Sequence, residues 1–337
     1  MDMTTCKRCI LDSNTPGISI DPDTGWCQFC TGFTPPGEDE RRRNADILNN
    51  FFSLPHRGGE YDVIVALSGG IDSSYALYHL KEQYYHLNIL AVQFDNGFLS
   101  ETALKNARMF CDLTDSTYYR LAVDQQELNN TFVRAASSRN VYSESAMHRA
   151  SDICNTCIGI LKQKIIELAM KTQAPAVVFA FSPGQTDAPF IVLTGSLLAW
   201  MRHLFDASLT TMGVTNRKPY LLDEGLIGDG SSQPEVVLIH PFLVWEYHKP
   251  DFKKRCRALG WIEPDLMDSN SSNCLLNTYA IKNHLEKYNI HPYASDLASL
   301  VRQGYMKREE ALRILHKPLP EELIERVEKR LYDKEEW

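Results

Sequence analysis

The chain has 337 residues, 44% of them hydrophobic, and a formal charge of -8. That length suits one large α/β domain or a medium catalytic domain with smaller attachments, and no uninterrupted apolar run approaches the roughly 20 residues that span a bilayer. The acidic balance argues against holding a long nucleic acid mainly by phosphate neutralisation, and an N-terminus of polar residues and cysteines, without a basic and apolar leader, predicts a cytoplasmic protein with no membrane partner.

The first segment carries Cys6-x-x-Cys9 and Cys27-x-x-Cys30. Disulfides belong to small secreted domains, so metal or catalytic use is expected for these cysteines. Their spacing is that of a four-thiolate zinc ribbon, with a redox pair or unligated cysteines as the alternative. The segment has too little apolar material for a core of its own, so Zn2+ would supply its folding energy. The ribbon is assigned to 1–35. A polar linker follows over 36–60, punctuated by Pro35, Pro36, Gly37, Gly58 and Gly59, with a helix led by the charged run 38–43.

From Tyr61 the texture changes. Buried strands are predicted over 63–67, 89–94, 176–181 and 236–239, with helices over 71–83, 104–113 and 161–170. Strand, glycine turn, helix and strand in alternation predict an α/β fold, a doubly wound parallel sheet over 61–245 with ligands beyond the carboxyl ends of its strands. The apolar run 191–201 leads to Arg202 and His203, either a substrate-phosphate contact or a helix-end polar face. A helical C-terminal region is predicted over 246–337, with helices at 249–259, 279–288 and 293–303 and a charged, helix-prone end.

Ser68-Gly69-Gly70-Ile71-Asp72-Ser73-Ser74 lies between the first of these strands and its helix. Two glycines let the backbone approach phosphate oxygens, successive N–H groups form an anion-binding nest, and the helix N-terminus adds favourable potential. No Gly-Lys-Ser/Thr ending follows, so ordinary γ-phosphate transfer is not expected; the plain alternative is a Ser-Gly turn capped by Asp72. The run resembles the SGGxDS signature of PP-loop ATP pyrophosphatases. The resemblance implies an adenine nucleotide alpha hydrolase-like fold that uses ATP. It implies ATP contacts at Ala66, Leu67, Ser68, Gly69, Gly70, Asp72, Ser73 and Ser74, with the pyrophosphate held over 68–74 and Asp72 as catalytic group and hard ligand for Mg2+. It also implies adenine contacts at Phe94 and Asn96, where the alternative for Asn96-Gly97 is a simple turn, and a loop over the nucleotide at Gly184 and Gln185.

Cys154-x-x-Cys157 and the distant Cys274, in the polar run Asp268-Ser269-Asn270-Ser271-Ser272-Asn273-Cys274, form a second set. Two cysteines from one turn and one from a remote loop suit a 4Fe–4S cluster with one open iron, although ligation by four cysteines is commoner. A redox or persulfide pair, a second zinc site with His148, and plain structural cysteines are the alternatives. Cys111 and Cys256 lie on helical patterns and read as core residues; His240 ends a strand and reads as structural.

Residues 5–115, from the CxxC ribbon through Phe94-Asp95-Asn96-Gly97-Phe98-Leu99-Ser100-Glu101, resemble bacterial N-acetyl sugar amidotransferases of surface-polysaccharide and flagellar-glycan pathways, as does the segment 300–312. The set Cys154, Cys157 and Cys274 is similar instead to that of zinc-ribbon, Fe–S-dependent PP-loop tRNA thiolases. Absence of a second ribbon and of basic balance favours a small-molecule or nucleotide substrate over tRNA. The resemblances imply ATP-dependent adenylation of a carbonyl-type oxygen, followed by its replacement. Sulfur insertion at the catalytic Cys154, Cys157 and Cys274, fed by a sulfur donor, is the first reading. Amidotransfer with a partner glutaminase is the second, and a nucleotide-binding interaction module the third. A homodimer is expected.

Overall fold

The computed structural model describes residues 4–53, 59–227, 236–265 and 267–333. Residues 54–58 of the expected linker, Gly58 among them, and 334–337 of the expected helical end lie outside the described residues.

The ribbon holds one short helix, α1 (Gln28–Thr31), and the linker is mostly helix α2 (Glu38–Ser53), opened by three acidic residues that suit a helix N-terminus. Then the chain alternates: β1 (Val63–Ala66), α3 (Ile71–Gln83), β2 (Ile89–Asp95), α4 (Glu101–Leu113), β3 (Thr117–Ala122), α5 (Gln125–Ser137), the single turn α6 (Glu144–Met147), α7 (Asp152–Thr172) and β4 (Ala176–Phe179). β5 (Phe190–Leu193), α8 (Gly195–Thr211) and β6 (Val236–Ile239) complete the sheet region. Helices α9 (Lys249–Ala258), α10 (Leu276–Tyr288), α11 (Ala294–Arg302), α12 (Arg308–Leu315) and α13 (Glu321–Glu328) form the C-terminal part.

The sheet order is β3-β2-β1-β4-β6-β5, parallel throughout except for β5, which runs antiparallel to β6. The central strands are buried on both faces, so they read as continuous apolar runs. Alternate residues feed two cores. Ile64, Leu90, Val92 and Val177 pack with α5 and α7. Val63, Val65, Ala91 and Val178 pack on the other side with α3, α4 and α9. Strand order reverses between β1 and β4, which puts the topological switch point, and the expected ligand crevice, directly beyond the end of β1.

Two strands depart from the sequence reading. β3 has no apolar run to mark it in the sequence, because its Tyr119 and Arg120 are exposed. The run 191–201 is not one element: Thr194 accepts a hydrogen bond from Leu197 N at 3.3 Å, capping α8 and ending β5. Helix α7 also starts nine residues before the predicted 161, capped by Ser151, so Cys154 and Cys157 stand on its first turns and not ahead of it.

Candidate functional site

The loop after β1 is shaped by its glycines. Gly69 has φ +77°, and a Cβ there would fall 1.9 Å from the Ala103 carbonyl oxygen, so only glycine fits between this loop and α4. Gly70 is the N-cap of α3 and offers no side-chain cap, which leaves that helix end to other partners. Ser68 N–H donates to Ser73 Oγ at 3.1 Å, and the two hydroxyls lie 3.0 Å apart. Ser74 Oγ is buried without a hydrogen-bond partner. Gln93 Nε2 donates to the Ser68 carbonyl at 3.2 Å and Trp261 Nε1 to that of Gly69 at 3.1 Å, fixing the loop from both sides. Asp72, a quarter exposed, meets Lys249 Nζ at 3.2 Å and accepts from the Tyr247 hydroxyl at 3.4 Å.

The second cluster gathers at the end of β2. Ser151 Oγ accepts from Cys154 N at 3.1 Å and orients the first turn of α7, placing Cys154 and Cys157 three residues apart on it. Cys274 comes in on the segment before α10, opposite Leu99 in an isolated antiparallel bridge. Asn96 Nδ2 lies 3.3 Å from Cys274 Sγ and 3.6 Å from Cys157 Sγ, so one amide joins the two. Cys154 Sγ sits 3.5 Å from Asn277 Oδ1, which also accepts from the Tyr293 hydroxyl at 2.7 Å. Burial pushes the Cys154 thiol up to about 12 and raises Cys157 and Cys274 as well. As free thiols all three are neutral near pH 7 and weakly nucleophilic; a bound metal or a sulfane sulfur would change that. The donor set is all cysteine sulfur, which once deprotonated suits an iron–sulfur cluster.

Other expected contacts fall in varied places. Phe94 is buried in the core, and the Asn96 side chain makes a turn by accepting from Phe98 N at 2.9 Å while its amide faces the sulfurs. Gly184 lies against α11, where a Cβ would be 2.4 Å from the Asp296 carbonyl, and Gln185 Oε1 accepts from Ser182 N at 3.0 Å. Arg202 lies in the middle of α8, not at a helix end, and is tied to the Leu222 carbonyl at 2.8 Å and to Glu224 at 2.7 Å. His240 Nδ1 bonds the Ala188 carbonyl at 2.7 Å. Lys162, which no motif signalled, lies 5.4 Å from the Phe181 ring centroid with its pKa lowered by burial. Lys249, Tyr247, Ser272 and Asn273 reach the phosphate loop from more than a hundred residues away, a proximity that no local motif signals.

The ribbon cysteines are fully buried, and their sulfurs all lie within 4.8 Å of one another. They are the sole such His/Cys/Asp/Glu group among the described residues, so the sulfurs of Cys154, Cys157 and Cys274 do not all lie that close to one another, with or without His148. Cys6 Sγ accepts from Cys27 N at 3.2 Å and Cys9 N at 3.5 Å, which fixes its place among the four sulfurs. The Cys9 hydrogen bond lowers Cys27 to about 5, while burial raises Cys30 to about 11. Crowded thiols that resist joint ionisation suit a cation at their centre, and four sulfurs fit Zn2+. The Arg308 guanidinium donates to the Cys9 carbonyl at 2.8 Å and the Cys6 carbonyl at 3.3 Å, docking the ribbon on α11 and α12.

Residues 61–146 match the family model described as the tRNA methyl transferase HUP domain. An uncharacterized protein of Methanocaldococcus jannaschii is 23% identical over 328 residues, 96% of this chain and 98% of that one. Among solved structures, the U34-tRNA thiolase NcsA of Methanococcus maripaludis with its 4Fe–4S cluster aligns at TM-score 0.37 and 16% identity, over 95% of this chain and 91% of that chain. NH3-dependent NAD synthetase of Campylobacter jejuni aligns at TM-score 0.31 and 16% identity, over 43% of this chain and 58% of that chain. No helix among the described residues is long and apolar enough to cross a membrane. Residues 61–146 thus match a HUP domain, and within it the SGGxDS run leads from β1 into α3 at the switch point of a mainly parallel sheet.

Proposed function

We propose that this protein adenylates a carbonyl-type oxygen of a small molecule or nucleotide and then replaces that oxygen by sulfur. The observation that carries the reading is the meeting of Cys157 and Cys274 at one Asn96 amide, with the chain next to Cys274 also touching the phosphate loop. In the first step the substrate oxygen attacks the α-phosphorus and the bond to the β-phosphate oxygen breaks. Pyrophosphate departs toward Ser68, Gly69, Gly70, Ser73 and Ser74, where the backbone N–H groups at the uncapped start of α3 receive its charge. Asp72 would hold Mg2+ against the departing oxygens, a role its partly exposed carboxylate at the loop suits. Adenylation turns a poor oxygen leaving group into AMP, and a sulfur nucleophile held among Cys154, Cys157 and Cys274 displaces it at carbon. A 4Fe–4S cluster on these thiolates would supply an open iron able to hold sulfide. Asn96 and Asn277 orient the sulfurs, and burial keeps water from competing for the adenylate.

Acceptor-dependent turnover should release AMP and pyrophosphate; ADP and phosphate as main products would exclude the reaction. Iron and acid-labile sulfide in anaerobically purified protein favour sulfur insertion, whereas zinc alone with a co-purifying glutaminase favours amidotransfer. Cys274→Ser should abolish sulfur transfer while leaving the affinity for ATP within about twofold, since the serine still fits the segment. Unchanged product formation by this variant would move the chemistry away from the cysteine set.

A further inference from the structure

The segment 268–274 belongs to two sites at once. Asp268 anchors it: its buried carboxylate accepts from Asn270 N at 2.8 Å, Ser271 N at 3.1 Å and Asn277 Nδ2 at 3.0 and 3.1 Å. Ser271 Oγ then accepts from Cys274 N at 3.1 Å. On the far side, Ser100 N donates to the Asn273 carbonyl at 2.9 Å and Leu275 N to that of Phe98 at 2.8 Å. Between these anchors Ser272 turns the other way. Its Oγ accepts from Ile71 N at 3.2 Å, on the first turn of α3 inside the phosphate loop. Gly70 permits the approach, since a Cβ there would stand 2.8 Å from Ser272 Oγ and 3.2 Å from Asn273 Oδ1.

We propose that Ser272 is a positioning residue that couples phosphate in the loop to the placement of Cys274. The inference rests on the ATP reading given above and adds a regulation of the cysteine site. A hydroxyl accepts and donates, so the contact seen here leaves its proton free for a second partner. A phosphate oxygen arriving at Ile71 N–H makes a charge-assisted bond, about twice as strong as the neutral bond it displaces. Ser272 then gives up its acceptor role and donates its own hydrogen to that oxygen. Ser272 and Cys274 are two residues apart, a chain span of about 7 Å at most, and Asn273 between them is fixed to Ser100. A change at Ser272 therefore reaches the Cys274 backbone and its hydrogen bond to Ser271 without crossing any flexible chain. Cleavage between the α- and β-phosphates, with loss of pyrophosphate, reverses it.

The test is hydrogen–deuterium exchange with mass spectrometry on the protein as purified, with and without Mg2+ and α,β-methylene ATP, which binds but is not cleaved. In the natural protein the analogue should slow exchange at 68–74 and also, by about fivefold, at 273–275. Ser272→Ala should bind the analogue about fivefold more weakly and, at saturation, protect 68–74 with no change at 273–275. Ser272→Thr, which keeps the hydroxyl, should restore the response, and Ser272→Val against Ser272→Thr repeats the comparison at nearly equal volume if the alanine variant folds poorly. Protection of 68–74 without any change at 273–275 in the natural protein, or an undiminished change in Ser272→Ala, overturns the coupling and leaves the ATP reading intact. Protection at neither segment removes the ATP reading and the coupling with it.

Discussion

Asp72 and Asp296 show how the same side chain is given opposite tasks by its surroundings. Asp72 is a quarter exposed at the mouth of the phosphate loop, paired with Lys249 at 3.2 Å. A pair this open to solvent contributes about 1 kcal/mol or less to stability, so Asp72→Ala should melt close to the natural protein yet form no acceptor-dependent AMP. Turnover near normal would place the metal and phosphate elsewhere. Asp296 is buried on α11 with neither carboxylate oxygen hydrogen-bonded, and burial holds its pKa well above the ordinary range. A carboxyl raised in the fold stabilises the protein most below its unfolded value of about 4, and that contribution is lost as pH rises. Asp296→Asn does not titrate, so urea unfolding should show it gaining stability relative to the natural protein as pH increases from about 4 to 8. A constant difference across that range would mean that Asp296 is ionised in the fold. The Asp72 loop was readable from sequence because its glycines, serines and aspartate are contiguous. Asp296 was not, because a protonated carboxyl on a helix looks like any surface acid.

At the level of elements, legibility followed burial. β1, β2, β4 and β6 are central in the sheet, covered on both faces, and announce themselves as apolar runs. β3 and β5 are the two edges, and their exposed residues hide them; Thr194 further concealed β5 by letting a strand and a helix share one apolar stretch. The start of α7 is hidden for a different reason. Its first turns hold Asn155, Thr156 and Gly159, weak helix formers, and only the Ser151 cap marks the boundary. The ribbon was legible because metal spacing, unlike packing, is written locally. Its four sulfurs within 4.8 Å predict that Cys6→Ser and Cys27→Ser each lose one zinc per chain and loosen residues 5–30. Full zinc content in both variants, measured by elemental analysis, would reject the site.

Across the whole molecule, the ribbon is joined to the C-terminal helices by contacts that sequence could not disclose. Arg308 supplies two hydrogen bonds to the carbonyls of Cys6 and Cys9, and Ala294, Leu297, Ala298 and Ala311 close around the cysteines. Arg308→Ala should remove about 2 kcal/mol of docking, seen as faster amide exchange in residues 5–30 with zinc retained. Exchange unchanged by that substitution would assign the docking to the apolar contacts alone. The same α11 reaches toward the sulfur site, since Tyr293 at its N-cap donates to Asn277, the neighbour of Cys154. The Arg308 contact also imposes an order of events during synthesis. Cys9 and Arg308 are 299 residues apart, so at typical rates of elongation about 15 to 60 s pass between the appearance of the thiols and that of the arginine that covers them. For that interval the four thiols exist without the helices that later bury them, so a metal suited to four sulfurs could reach them before the C-terminal half is made.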